Sequence, residues 1–99
     1  GLLDSNSSII NGVWYNIVST YNNTSKLQTI YINGVLDNSN TYSQTFVVSN
    51  TSNLQIGGSQ VLGGYFNGNI SQTMIYNRAL TAAEVLQNYN TTKSRFGLL

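Results

Sequence analysis

Residues 65–90 read YFNGNISQTMIYNRALTAAEVLQNYN, and here the pattern of the chain changes from strand and turn to helix. In the first half of this stretch, the large apolar residues of one parity are Phe66, Ile70, Met74 and Tyr76. Residues of one parity lie on one face of a strand, and β-branched and aromatic residues suit a half-buried sheet. The sequence therefore predicts a long core strand from Phe66 to Tyr76.

The second half of this stretch carries the signals of a helix N-terminus. Thr81-Ala82-Ala83-Glu84 has the spacing of a capping box, in which the threonine hydroxyl accepts from the Glu84 amide and the glutamate carboxylate accepts from the Thr81 amide. Leu80 and Val85 have the spacing of a hydrophobic staple. We therefore predict a helix of about two turns that begins after Thr81 and ends near Tyr89.

Upstream of residue 65, short strands alternate with polar turns. Strands are predicted, in chain order, at residues 13–21, 27–33, 35–36, 45–48 and 54–56. Asn33-Gly34 is a pair that favours a two-residue hairpin, and residues 37–44 have the composition of a polar loop. Trp14 lies in a strand with apolar residues of both parities, so we expect it in the core. Short strands at this spacing predict an antiparallel sandwich or barrel.

The amino-acid composition of the chain excludes several classes of function. The chain has 99 residues, no Cys and no His, and only 7% of it is charged, against a usual share of about 25%. Four cations give a formal net charge of +1, which is too sparse for a surface that follows a phosphate backbone. Nucleic acid is therefore not an expected partner. Without Cys and His, disulfides, thiolate metal sites and histidine-based catalysis are excluded. No apolar run approaches the roughly 20 residues of a bilayer span, so membrane insertion is not expected either.

The acidic residues are too few for the chemistry that carboxylates usually support. They are Asp4, Asp37 and Glu84. Glycoside hydrolysis needs a pair of carboxyl groups, and no such pair falls on a strand, so the chain is not expected to be an enzyme. Calcium needs several oxygen ligands, and Glu84 is expected to be occupied as a helix cap. No cofactor is therefore expected, and calcium is disfavoured but left open, because residues outside these 99 could supply ligands.

Five short motifs, taken in order, resemble the laminin-G-like, concanavalin A-like jelly-roll family. They are Trp14 to Val18 followed by Thr20 to Asn22; Leu27 to Val35 with Tyr31-Ile32-Asn33-Gly34; Leu54 to Gly58; Phe66 to Ile70; and Ile75 to Thr81 leading to Glu84. The resemblance covers residues 13–89 and implies an all-β, antiparallel jelly-roll β-sandwich with one short C-terminal capped helix. Domains of this family are usually longer, so residues 1–99 form either a single sandwich domain or its C-terminal part, with a core at 13–89 and a tail at 90–99.

Two positions depart from the family pattern. Ser71 stands where an Asp is common, and Asn16 stands where a His is common. The first change removes a carboxylate, and some relatives bind calcium through carboxylates. The tail from Tyr89 to Leu99 resembles the ends of laminin-G-like modules that terminate large structural proteins of phages and marine microbes. That resemblance implies an extracellular or virion-surface location.

The ligand-binding candidates are loop residues whose amides can bond sugar hydroxyls or whose rings can stack on sugars: Asn22, Asn23, Asn38, Asn40, Tyr42 and Tyr65. Each also has a plain structural explanation, because Asn tolerates left-handed turn backbone and Tyr suits strands. The leading hypothesis is a non-catalytic recognition or adhesion module of a larger extracellular or virion surface protein, with glycan as its partner. The alternative is a structural module for assembly or decoration of a phage capsid, tail or fibre, with another protein subunit or a further copy of the chain as its partner.

Overall fold

The structure is a computed structural model. In its described residues, a three-stranded antiparallel sheet and a C-terminal helix make up most of the regular secondary structure. The structure describes residues 3–42, 56–58 and 64–97. The strands are β1 (Ile17–Asn22), β2 (Leu27–Ile32) and β3 (Val35–Thr41), in the order β1-β2-β3. Helix α1 (Ala82–Thr92) continues into a 3₁₀ helix at Lys93–Phe96.

The turn between β2 and β3 is the predicted Asn33-Gly34 pair. Both residues have left-handed backbone, with φ of 52° at Asn33 and 78° at Gly34, which matches the twist of a two-residue hairpin. The Asn33 amide donates to the carbonyl of Asn16 at 2.8 Å, and the Asn33 Oδ1 accepts from the Asn16 amide at 2.9 Å. These two bonds extend the pairing of β1 with β2 and join the hairpin turn to the chain that enters β1.

β3 is longer than the sequence predicts. Residues 37–41, predicted as part of a polar loop, continue the strand, and Asn40 pairs with Gln28 and Thr41 with Leu27. A bulge lies opposite Ile30 and Tyr31, where Asp37 is the extra residue on β3. The prediction was wrong because β2 offers a full ladder of backbone partners, and such tertiary pairing overrides the weak strand preference of Asn and Ser.

Apolar side chains from the sheet and the helix meet in one small core. Tyr31, Leu80 and Val85 are buried together, with Val18 packed against them, and Val85 has no exposed surface. Val18 and Tyr31 are register partners on β1 and β2, so they share one face of the sheet. The N-terminal turn of α1 therefore packs on that face, as the staple spacing of Leu80 and Val85 indicates.

The helix extends beyond its predicted end near Tyr89. Residues 90–92 form its last turn and residues 93–96 add a 3₁₀ turn, so residues 90–96 of the predicted tail are helical. The Thr91 and Thr92 hydroxyls donate back to the carbonyls of Gln87 and Asn88, so they bond to the helix instead of competing with it. Gly97, with a φ of 70°, closes the 3₁₀ turn.

Two predictions for the core are wrong. Residues 66–76 form neither a strand nor a helix and pair with no strand among the described residues, and Ile75 is 68% exposed. A strand needs a neighbouring strand to satisfy its backbone groups, and β1 is separated from this segment by a groove. Trp14 precedes β1 and is 39% exposed, because its ring pairs with Phe96 at the edge of the helix instead of entering the core. The strand predicted at residues 45–48 and the first two residues of the one at 54–56 lie outside the described residues.

Candidate functional site

Three of the predicted ligand-binding residues share one face of β3. Asn38, Asn40 and Tyr42 alternate along the strand and its extension, where the Tyr42 amide donates to the carbonyl of Lys26 at 3.0 Å. Asn40 is the register partner of Gln28, which adds a further amide to the same face. Tyr31 packs against Val85 of α1, whereas Asn38 and Asn40 pair with Ile30 and Gln28, which alternate with Tyr31 along β2. This polar face therefore lies on the side of the sheet opposite the helix.

The polar groups on this face differ in how many hydrogen bonds they already make within the protein. The Asn38 amide group donates to the carbonyl of Asp4 at 2.8 Å, and its oxygen accepts from the Ser39 amide at 2.9 Å. The Asn40 oxygen accepts from the Thr41 amide at 2.9 Å, which leaves its NH₂ group without a partner among the described residues. The hydroxyl oxygen of Tyr42 is buried and also has no partner among them. Asn40 and Tyr42 therefore carry the unused hydrogen-bonding capacity.

Asn22 ends β1 and Asn23 begins the turn to β2, at the same end of the sheet as Thr41 and Tyr42. The Asn22 oxygen accepts from the amides of Thr24 at 2.9 Å and Ser25 at 3.1 Å, so it builds the turn. The Asn23 oxygen lies 3.5 Å from the Lys26 ammonium. The Asn22 oxygen is thus occupied in the turn, and both Asn22 and Asn23 are exposed at the edge of the polar face.

Tyr65 lies apart from the other candidates. It forms an isolated antiparallel bridge with Gly58, and the Phe66 amide donates to the carbonyl of Gly57 at 2.6 Å. Its ring covers Gly58 and is 75% exposed. The structure therefore brings the Asn candidates and Tyr42 to one sheet and leaves Tyr65 outside it.

The predicted capping box is confirmed, and a cation joins it. Glu84 donates its amide to the Thr81 hydroxyl at 3.2 Å and accepts from the Thr81 amide at 2.9 Å. The Arg78 guanidinium also donates to the Glu84 carboxylate, at 2.8 Å through one of its two bonds. These bonds, from Arg78 first and Thr81 second, lower the pKa of Glu84 to about 2, and the carboxylate in turn raises the pKa of Arg78. Arg78 is therefore engaged in an ion pair at the helix N-terminus.

A second carboxylate fastens the N-terminal segment to β3. Asp37 accepts from the Asn6 amide at 2.6 Å, the Ser7 amide at 3.4 Å and the Ser7 hydroxyl. The Ser7 hydroxyl and the two amides lower the pKa of Asp37. This clasp places Asp4 beside Asn38, which explains why the Asn38 amide is already occupied.

An apolar groove of about 970 Å³, which the sequence did not indicate, is lined by β1 and the chain before it and by residues 69–78. Trp14 and Ile17 lie on one wall, Ile70 and Met74 on the other, and all four are 39–54% exposed. Arg78 is the one charged side chain among the described residues that line it. The alternating apolar pattern of residues 66–76 marked these side chains, but it was interpreted as a core strand because the pattern does not show whether a partner strand is present.

The described residues hold neither a cluster of metal-ligating side chains nor a membrane-spanning helix. Within residues 3–42, 56–58 and 64–97, no three carboxylates come together as a group that could hold a metal ion. The helices in these ranges are too short or too polar to cross a bilayer.

Comparison with known proteins identifies the family. A laminin-G-type family model, described as the concanavalin A-like lectin/glucanases superfamily, matches residues 2–86. The match covers most of the chain, so the protein belongs to this superfamily, as its motifs indicate. Its described part is mainly β, with one antiparallel sheet and a small helix. No curated protein gives a match.

One solved structure is similar over most of the chain. It is the crystal structure of an S-layer domain-containing protein from Clostridium thermocellum ATCC 27405, with 26% sequence identity and a TM-score of 0.57. The similarity covers 86% of this chain but 43% of that chain. The present chain thus spans less than half the length of the solved domain.

Proposed function

We propose that the chain is a non-catalytic recognition module of an extracellular surface protein, and that it binds glycan on the polar face of β3. Membership of a lectin-type superfamily and similarity to an S-layer domain-containing protein support a surface role. The observation that carries the glycan proposal is the exposed Asn40 NH₂ on this face, which has no partner among the described residues; the Tyr42 hydroxyl nearby is buried and also has none.

The chemistry of this face suits sugar hydroxyls. An amide offers both donors and acceptors, and a tyrosine adds a ring and a hydroxyl without introducing charge. The Tyr42 hydroxyl is buried, so a sugar reaches it only if the side chain turns outwards on binding. A bond to a sugar hydroxyl would then relieve the cost of a buried hydroxyl without a partner. Asn23 at the adjoining turn would extend the site, and Gln28 would contribute from β2. Asn38 would instead support the face through its bond to Asp4.

The test is glycan binding by the isolated chain, measured on a glycan array and by calorimetry. Asn40→Asp keeps the oxygen that accepts from Thr41 but removes the NH₂ donors, so it should weaken binding by roughly tenfold, the equivalent of about 1.4 kcal/mol. Asn90→Asp places the same charge on an exposed site of α1 and should leave binding unchanged. Equal loss in both variants would show that charge, and not the amide, is responsible.

Tyr42→Phe separates binding from stability. Because the Tyr42 hydroxyl has no partner among the described residues, its removal should leave the free energy of unfolding unchanged or slightly higher. The same change should weaken glycan binding. A loss of stability would mean that the hydroxyl serves the fold, and an unchanged affinity would remove it from the site.

The apolar groove supports a second candidate function, assembly of a surface layer. Its occupant would be an extended polypeptide strand with apolar side chains at alternate positions, because residues 70–76 carry alternating apolar side chains and have no ladder partner among the described residues. The similar solved domain is more than twice as long as the matched region, so the corresponding fold includes further polypeptide. A strand seated here would cover Ile17 on one wall and Met74 on the other.

Hydrogen exchange tests this second candidate. In the isolated chain, the amides of residues 70–76 should exchange rapidly because they pair with no strand. In the intact surface protein, the same amides should be protected, while those of β2 should change little because they are already paired on both sides. Rapid exchange of residues 70–76 in both forms would contradict assembly through this groove.

A further inference from the structure

The chain contains three Asn-Gly pairs, and the structure places them in different surroundings. They are Asn11-Gly12, Asn33-Gly34 and Asn67-Gly68. In such a pair the glycine amide can attack the asparagine side chain, because glycine has no Cβ to hinder ring closure. Whether it does so depends on the freedom of the carboxamide to rotate towards that amide.

Asn33 has little of this freedom. Its Oδ1 accepts from the Asn16 amide at 2.9 Å, and its own amide donates to the carbonyl of Asn16 at 2.8 Å. Gly34 is covered by the helix, since a Cβ built on it would lie 2.9 Å from Cδ2 of Tyr89 and 3.1 Å from Cδ1 of Leu86. Ring closure at Asn33 would require the side chain to leave Asn16 and the hairpin turn to change its backbone, which needs local opening.

Asn67 and Asn11 are free by comparison. Asn67 and Gly68 are exposed and lie outside every helix and strand of the described residues. Asn11 and Gly12 are exposed in a turn, and nothing lies within 4 Å of a Cβ built on Gly12. Neither asparagine carboxamide has a hydrogen-bond partner in the described part of the chain, so each can rotate to meet the following amide.

We propose that Asn67 and Asn11 are sites of spontaneous deamidation, and that the folded hairpin protects Asn33. The backbone nitrogen of Gly68 bonds to Cγ of Asn67, the Cγ–Nδ2 bond breaks, and the nitrogen's proton leaves with the side-chain nitrogen as ammonia. Water then opens the succinimide at either carbonyl, which yields aspartate or isoaspartate. The same steps convert Asn11 through the amide of Gly12.

The product changes the electrostatics of the chain. Each conversion replaces a neutral amide by a carboxylate, so the formal net charge of +1 falls to zero after the first. Asn67 lies between Phe66 and Asn69, which both line the groove, so its conversion places a negative charge near the rim of an apolar surface. An isoaspartate also lengthens the backbone there by one bond.

The test is peptide mapping by mass spectrometry of the folded chain during incubation at mildly alkaline pH, with isoaspartate identified by enzymatic methylation. Asn67 and Asn11 should convert at least roughly ten times faster than Asn33, because Asn33 reacts only after local opening of the hairpin. In urea the three rates should converge, because the hairpin that protects Asn33 is lost. Equal rates in the folded chain, or an Asn67 that stays intact while it converts in urea, would overturn the proposal.

Gly68→Ala provides the matched variant. A Cβ at this position would meet only the end of the Phe66 ring, at 3.0 Å, and the flexible side chain can move, so the fold should be retained. The added methyl group hinders ring closure at Asn67 alone. Conversion of Asn67 should therefore slow while that of Asn11 continues at its original rate, and slowing at both sites would contradict the local mechanism.

Discussion

Thr81 is the residue on which the start of α1 depends. Its hydroxyl accepts from the Glu84 amide, one of the donors that a helix N-terminus leaves without an intrahelical partner. Thr81→Ala should lower the free energy of unfolding by roughly 1 kcal/mol, whereas Thr81→Ser, which keeps the hydroxyl, should cost much less. Urea unfolding followed by circular dichroism measures both. Equal losses in the two variants would assign the effect to the threonine methyl group instead of the cap.

Glu84 gives the stability of the protein a defined pH dependence. Its pKa is about 2 in the folded chain and 4.5 in the absence of its partners, because Arg78 and Thr81 hold the carboxylate in its charged form. The folded state therefore binds fewer protons, so the stabilisation is complete above about pH 4.5 and is lost as the pH falls towards about 2. Asp37, with a lowered pKa, contributes with the same sign.

Glu84→Gln should reduce the slope of the free energy of unfolding against pH between about pH 2 and 4.5. The part of the slope that Asp37 contributes should remain. Urea unfolding at a series of acid pH values measures the slope. Gln87→Glu, an exposed change on α1 without an ion-pair partner, is the control and should not reproduce it. An unchanged slope in Glu84→Gln would mean that the ion pair and cap are not formed in solution.

At the scale of the elements, Gly34 couples the β2–β3 hairpin to α1. Gly34→Ala meets two penalties: a left-handed φ of 78° and a Cβ that would lie 2.9 Å from the Tyr89 ring. Gly12→Ala meets a similar φ of 84° in open space. The strain alone costs roughly 1–2 kcal/mol, so Gly12→Ala should lose about that amount or less, and Gly34→Ala should lose clearly more. Thermal unfolding of the two variants tests the contact between Gly34 and α1. Equal losses of stability would mean that α1 does not pack closely against the hairpin.

The elements also show which parts of the structure the sequence could predict. Thr81 with Glu84, and Asn33 with Gly34, were predictable because capping and hairpin turns are decided by residues within four positions of each other. The extension of β3 through residues 37–41 was not, because its polar residues become a strand only through pairing with β2. For residues 66–76 the alternating pattern was correctly noted, but a strand also needs a neighbour, and none pairs with it among the described residues.

The candidate site also has features that the sequence could predict and features that it could not. Asn40 and Tyr42 were predicted as candidates because their residue types suit sugar hydroxyls, but their common face depends on the bulge at Asp37, which no local pattern signals. Asn22 proved to be a turn residue once its bonds to Thr24 and Ser25 were visible. Trp14 was expected in the core, and its pairing with Phe96 depends on a helix extension that the sequence did not indicate.

At the scale of the whole molecule, two surfaces of different chemistry compete to explain the function. The face of β3 offers uncharged hydrogen-bonding groups, which suit a glycan, whereas the groove between β1 and residues 69–78 offers mainly apolar side chains, which suit a polypeptide. The two surfaces involve different residues, so a ligand that binds one need not perturb the other. Mapping a bound ligand onto the chain therefore distinguishes the two functions.

The most direct measurement is chemical-shift mapping by NMR of the isotope-labelled chain during titration with an oligosaccharide selected on a glycan array. If the polar face of β3 binds glycan, saturable shifts should appear at Gln28, Asn40 and Tyr42, including the side-chain NH₂ of Asn40, with little change at Tyr65. No saturable shift with any selected oligosaccharide, or shifts confined to residues 70–76 of the groove, would contradict glycan recognition by the polar face of β3.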